Sequence, residues 1–511
     1  MSEATKPAKT RKPNVGSDAS KGSRVWLWQV GIYVFAIGAS GILVLVNLAM
    51  ILNGNLSPVV LIMAMIVIGL SWGVVVTDDD EFSNPSGLKV AASEPTVREF
   101  VDMVAQVTGA PMPDAIYLVA EAEIEIVEKT KFFGLKNDRT VLKLGLPMMH
   151  AFTQQELAAL LAYELAHHAD LGVDQGPRAI RGLSAARDLI AVERKGFVNA
   201  IYGSYARKIY RSVGGVGIAQ ELAADQRAAQ AFSSQSLLSA LARYDDVPVA
   251  FDQLLREYVV PALQNQMHPV AMFDGFAELL ESRVRSTERC AALQRRRAKD
   301  RNEFDLHRTP TERIATLQDA GPVVAQHVFP HGGAGAHRLL DSEEKSAEIV
   351  VGVWAAALMG NRTEAKTWHE LAAEVFSRKT KNIATAAFGE HGGDASTNFD
   401  QASDWSANND WQAVDEAVAK PLKKCGDETA RRLQWARCLV TDAAAESGRF
   451  AWQHNWDGPP QLVDGSGVLF DPSESASYLV AGEAPKAQAS LRAALDRCVD
   501  RAQPPQQMAA G

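Results

Sequence analysis

The 511-residue sequence predicts an α+β, mainly helical chain, with an N-terminal transmembrane helical hairpin and a helical C-terminal region. Three observations predict it. Residues Val25 to Thr77 contain no Asp, Glu, Lys, Arg or His. Short β-type segments crowd between Ala115 and Leu144. From about Phe152 onward, apolar residues recur at helical spacing with few breaks.

The uncharged region holds two apolar stretches, Trp26 to Leu52 and Val59 to Val76, separated by Asn53-Gly54-Asn55-Leu56-Ser57-Pro58. That cluster of turn formers suits a tight connection. About 20 residues of helix cross a ~30 Å hydrocarbon core, so each stretch is long enough or nearly so. A cleaved signal peptide fits poorly, because the first run is long and a second follows at once. Lys6, Lys9, Arg11, Lys12, Lys21 and Arg24 crowd the first 24 residues, while the connecting turn is uncharged. The positive-inside rule then places the tail in the cytoplasm, and two crossings bring the rest of the chain back there. Trp26, Trp28 and Trp72 would share that inner interface. The expectation is an integral membrane protein with the lipid bilayer as a partner and its main domain in the cytoplasm.

Composition excludes several classes. A formal net charge of -9 leaves no broad basic field to attract nucleic acid. The four cysteines, Cys290, Cys425, Cys438 and Cys498, form no C-x-x-C pair, so a disulfide framework or a cysteine zinc site is not expected. Two uncharged spans offer no ionisable residue to mark a transport pathway.

After a polar exit at Asp78 to Pro85, the spacing predicts a helix over Pro95 to Thr108, with Val97, Phe100, Val101, Val104 and Val107 on one side. Strands follow at Ala115 to Val119, Glu121 to Val127, Lys131 to Leu135 and Val141 to Leu144, with a turn at Lys136 to Arg139. Alternation of Glu121, Glu123 and Glu125 with Ala122, Ile124 and Ile126 gives one strand a wet face. A mixed domain thus spans 78–320. The Gly/Pro/Ala-rich stretch 321–337 reads as a linker, and 338–511 as a helical region of unknown role, broken near Gly389 to Asp404 and Trp456 to Ser475.

The chemistry lies on the helix beginning at Phe152. Thr153 and Glu156 form a capping box, and Leu157, Leu160, Leu161 and Leu165 supply an apolar stripe. Tyr163, Glu164 and His167 then occupy the three chemical positions of H-E-x-x-H, with tyrosine in the first. Positions i and i+4 share a helical face, where two histidines grip one zinc ion and the glutamate acts as base on its water.

Two further elements join it. Val141 to Pro147 is a strand closed by Gly and Pro ahead of the motif helix, and a later helix carries Glu221-Leu222-Ala223-Ala224-Asp225. Downstream stands His307-Arg308-Thr309-Pro310-Thr311-Glu312-Arg313-Ile314, with its own capping box. Over residues 95 to 320 this order resembles the HtpX / CAAX prenyl protease class of membrane-bound gluzincin metallopeptidases. The resemblance implies a zincin-like metallopeptidase domain, a bacterial cytoplasmic membrane and a protein or peptide substrate. It also implies Zn2+ held by His167, Glu221 and the residue at 163, with Glu164 as the catalytic base. Asp225 and His307 would support the site from behind, His307 as an oxyanion donor or a purely structural group.

The sequence departs from that class at Tyr163, whose phenol must lose a proton with a pKa near 10 to bind a metal. His168 lies about 100° round the helix from His167, whereas His150 and His307 are free to approach in three dimensions. Gln226 stands where the class carries Arg after the Asp. Two functions stay open: a zinc endopeptidase at the cytoplasmic membrane face taking its peptide as an added strand near Val141 to Leu146, and a catalytically inactive pseudopeptidase serving as a membrane-tethered protein-binding scaffold.

Overall fold

The computed structural model describes residues 25–54, 87–90, 94–131, 136–173, 176–177, 179–181, 183, 197–299, 308–360, 362–389 and 393–497, with scattered positions between 58 and 65. The basic tail, the polar exit, most of the second apolar stretch, Cys498 and His307 lie outside the described residues.

The first apolar stretch forms helix α1, Val25–Leu52. Gly38, Ser40, Gly41 and Asn47 interrupt its apolar run, and the Asn47 amide donates to the Leu43 carbonyl at 2.7 Å. A hairpin requires two helices of about 20 apolar residues each. Among the described residues no helix is long and apolar enough to cross a membrane. This overturns the expected transmembrane hairpin, the integral-membrane location and the orientation built upon it.

The chain is mainly helical and divides into two compact units. The first comprises residues 1–251 and 289–354, the second 252–288 and 355–511. The division does not fall at the glycine-rich stretch 321–337, which is docked within the first unit. There the Gln326 and His327 amides donate to the Gln230 and Ala231 carbonyls, and Phe329 stacks on Phe232 with ring centroids 5.9 Å apart.

In the first unit a four-stranded sheet has the order β1-β2-β4-β3, with β1 Gly87–Lys89, β2 Ala115–Val119, β3 Ile124–Lys131 and β4 Lys136–Gly145. β2 and β4 are parallel, with Tyr117 opposite Lys143, and the outer pairs are antiparallel. Helix α2 is Pro95–Thr108, as its spacing predicts, and buries Val97, Phe100, Val101 and Val104. Two expectations change. Lys136 to Arg139 is strand rather than turn, because it pairs with β3 up to Lys131. β4 lies between β2 and β3, so an added peptide strand meets an edge at β3 instead of Val141 to Leu146.

β4 ends where Gly145 must be glycine: a Cβ there would lie 2.1 Å from the Glu121 carbonyl oxygen. Pro147 opens a short helix α3, Leu146–Ala151, which is followed directly by α4, Gln154–His167. The capping box is present as the spacing predicts: Thr153 accepts from the Glu156 amide, and Glu156 accepts from the Thr153 amide at 2.9 Å. Leu157, Leu160, Leu161 and Leu165 are all buried. Each such leucine stabilises the fold by roughly 1.5–3 kcal/mol relative to exposure. The long helix α5, Phe197–Phe232, packs against α4 and is followed by α6, Ser234–Tyr244. Helix α7, Pro310–Ala320, starts at the second capping box, Thr309 with Glu312. A 3-10 turn, Ala336–Leu339, then leads to α8, Glu343–Met359.

The second unit has a core around the fully buried Trp435, packed with Phe388, Phe399, Trp411 and Leu439. Two expected breaks are more ordered than their composition suggests. Asp394 caps a helix Ala395–Ala407 by accepting from the Thr397 amide, and Ala451–Gln453 pairs antiparallel with Gln461–Val463.

Candidate functional site

The elements singled out in the sequence converge inside the first unit. Gln220, at the point on α5 just before Glu221, is buried and donates to the His167 and Ala169 carbonyls at 3.0 and 2.8 Å. The last carbonyls of a helix need partners from outside it, and His167 closes α4. One amide therefore terminates the motif helix and fixes the neighbouring Glu221 against it.

The Tyr163 hydroxyl donates to Glu221 Oε1 at 3.2 Å, and the Tyr163 ring stacks on His167 with centroids 5.6 Å apart. Glu221 also accepts from the Arg308 amide at 3.2 and 3.1 Å. One turn along α5, Asp225 accepts three bonds from Arg313, the shortest 2.7 Å, and a fourth from Arg308 at 3.4 Å. The Arg313 guanidinium lies 3.6 Å from the centre of the Tyr163 ring, a cation–π contact in a buried setting. Tyr163, His167, Glu221, Asp225 and Arg313 are all buried, while Glu164 is half-buried.

The electrostatics follow from that burial. Desolvation holds the Tyr163 hydroxyl well above the usual phenol range; Arg313 opposes the shift, while Glu221, Glu164 and Asp225 add to it. Burial likewise raises the Asp225 carboxyl, although Arg313 and Arg308 pull it back. Burial opposes the charge on Arg313, yet Tyr163, Asp225 and Glu221 raise its pKa above the ordinary arginine value.

These residues do not fit a zinc ion. Zinc demands a deprotonated ligand, whereas Tyr163 keeps its proton and spends it on Glu221. Glu221 is further satisfied by Arg308, whose guanidinium Nε stands 3.8 Å from its Oε2. Two arginines supply the acidic residues with the positive charge that a metal ion would otherwise bring. No alternative imidazole arrives among the described residues. His168 points to Glu128 on β3, with Nδ1 3.4 Å from its carboxylate, and Gln226 is followed by Arg227, which donates to the Thr108 carbonyl.

His150 goes elsewhere. It lies with His337 and Glu343, and among the described residues these three form a group able to hold a metal ion. Burial, with His337 beside it, pushes the His150 imidazole down to about 3, so the ring is neutral.

Sequence reasoning missed Arg308, Arg313, His337 and Glu343. The two arginines left a signal, since they flank the second capping box and follow an acidic helix face that needs compensation. His337 left none, because the surrounding glycine-rich stretch has no periodicity to place it.

No family model, no curated protein and no solved structure matches this chain.

Proposed function

We propose that this chain is a catalytically inactive pseudopeptidase that serves as a protein-binding module. The reading rests on a metallopeptidase-like order of motifs in which the motif helix has exchanged metal chemistry for a closed polar cluster. The observation that carries it is the Tyr163 hydroxyl bonded to Glu221 beneath the Arg313 guanidinium. Proton, carboxylate and cation are mutually satisfied there, leaving Glu164 without a metal-bound water to activate. β3, an edge strand beside the motif helix, supports the binding half of the reading, because an extended partner segment adds to such an edge through main-chain hydrogen bonds.

The test is a cleavage assay on a casein-type substrate together with zinc quantification. The native chain is expected to show no cleavage, and its zinc content is expected to be the same in Glu221→Gln. Cleavage abolished by Glu164→Gln, with zinc lost in Glu221→Gln, would establish the working peptidase instead. For binding, peptides selected from a random library on the full chain should slow hydrogen exchange along β3. Protection confined to another surface would move the docking site off this edge.

A further inference from the structure

We infer that His150, His337 and Glu343 form a binding site for one divalent transition-metal ion of the zinc class, separate from the motif helix. One ligand atom from each residue lies within 4.8 Å of those of the other two. The His150 Nε2 to Glu343 Oε1 distance is 3.7 Å. That is too long for a hydrogen bond. It is close to the edge of a tetrahedral zinc site, about 3.3 Å for bonds of roughly 2.0–2.1 Å. A small rotation of the half-exposed Glu343 closes the difference.

The donor set is specific. Two imidazoles and one carboxylate suit zinc, cobalt or nickel better than calcium or magnesium, which prefer oxygen. The two rings face one another with centroids 5.0 Å apart and planes 21° from parallel. Among the described residues the buried His337 Nδ1 has no hydrogen-bond partner, and an imidazole so placed costs free energy unless something binds it.

The fold holds the three residues in place. The Ala336 amide donates to the Phe152 carbonyl at 2.9 Å, which sets the 3-10 turn against the end of α3. Gly335 leaves room for the His337 ring: a Cβ there would fall 2.4 Å from its Cε1. The start of α8 is anchored by Glu94, which accepts from the Asp341 amide and the Ser346 hydroxyl. Glu343 sits between those anchors with its side chain 38% exposed, so an ion enters from solvent. Three protein ligands leave the remaining position to water. Bound there, the ion clips the 3-10 turn and α8 onto the end of α3, immediately before Thr153 starts the motif helix.

Cobalt(II) titration of the full chain tests this, read by its visible d–d absorption and followed by displacement with zinc. We expect about one equivalent in a four-coordinate environment and a melting temperature that rises with added zinc. His337→Ala and Glu343→Gln should each weaken binding by about 10-fold or more, since even outer partners of a ligand are worth 10- to 100-fold. Glu343→Gln tests the site without disturbing the core, and far-UV circular dichroism reports whether His337→Ala folds. Glu221→Gln should bind as the native chain does. Absence of a cobalt spectrum, affinity unchanged in Glu343→Gln, or loss in Glu221→Gln instead would each overturn the assignment. Loss in Glu221→Gln would also undo the proposed function, whereas the other two outcomes would leave it standing.

Discussion

Two polar clusters sit at opposite ends of the same short helical stretch, and they balance their charges differently. At Tyr163, Glu221 and Asp225 the acids are met by Arg308 and Arg313. At His150, His337 and Glu343 two stacked imidazoles face one carboxylate. The first has the residue types of a metallopeptidase motif and the electrostatics of a closed salt-bridge network. The second has no recognisable motif, and its donor atoms are two imidazoles and one carboxylate. Ligand identity along a sequence is therefore a weaker guide to metal binding than the source of compensating charge in three dimensions.

The sharpest way to break this comparison is to remove the compensating cation from the first cluster. Arg313 and Asp225 are 7% and 2% exposed, so Arg313→Ala leaves the buried carboxylate with the longer contact from Arg308. Breaking a buried pair in this way costs roughly 3–5 kcal/mol. Denaturant unfolding should show that loss, and Arg313→Ala paired with Asp225→Ala should recover a large part of it. A loss below about 1 kcal/mol, the value for a surface pair, would mean the cluster is wet and its compensation incidental.

Tyr163→Phe asks the same question more gently. It keeps the ring beneath Arg313 and on His167 but removes one donor to Glu221. Hydrogen bonds to charged groups are worth about 1.5–3 kcal/mol, so a loss of roughly 2 kcal/mol in the same unfolding measurement is expected. An unchanged stability would show that Arg308 alone satisfies Glu221.

Much of the first cluster was legible in the sequence, and the reason is local. The capping box at Thr153 sets the phase of α4, and that phase puts Tyr163 and His167 on one face. The i, i+4 spacing does the same for Glu221 and Asp225 on α5. What the sequence did not reveal was the cations, because Arg308 and Arg313 reach the cluster from a separate helix start. The second cluster was illegible for a different reason. His337 lies in a glycine-rich stretch that reads as a linker, yet backbone bonds to Phe152, Gln230 and Ala231 hold that stretch in place. The uncharged N-terminal stretches show the opposite failure. Absence of charge over Val25 to Thr77 suggested two spans, but among the described residues no helix is long and apolar enough to cross a membrane.

Gly335→Ala sharpens the comparison from the other side. Gly335 has φ −56°, which alanine adopts freely, so any effect comes from the new methyl meeting the His337 ring. The ring gives way, and the stability cost should stay near 1 kcal/mol, the low end for overpacking. Cobalt affinity, in contrast, should fall by about 10-fold, as for loss of a positioning partner.

The smallest effect concerns the joint between the clusters. Glu156 sits between His150 and Tyr163 in sequence and starts the helix that carries one cluster just after the other. Burial pushes its carboxyl up, but bonds from Ser239 and from the Thr153 amide and hydroxyl outweigh this and hold it below the usual value. A depressed folded-state pKa means the unfolded chain binds the proton more readily. The stability contributed by Glu156 is therefore complete above its unfolded pKa, near 4.5, and is lost as pH falls through the lower folded value. Glu156→Gln retains the shape of the capping box but not the charge, so it should cost under about 1 kcal/mol at pH 7. The difference between native and variant should shrink steadily below pH 4.5 in thermal melts. If instead it persisted unchanged to pH 3, the carboxylate charge would not be what starts α4, and the two clusters would owe their separation to the Phe152 and Thr153 backbone alone.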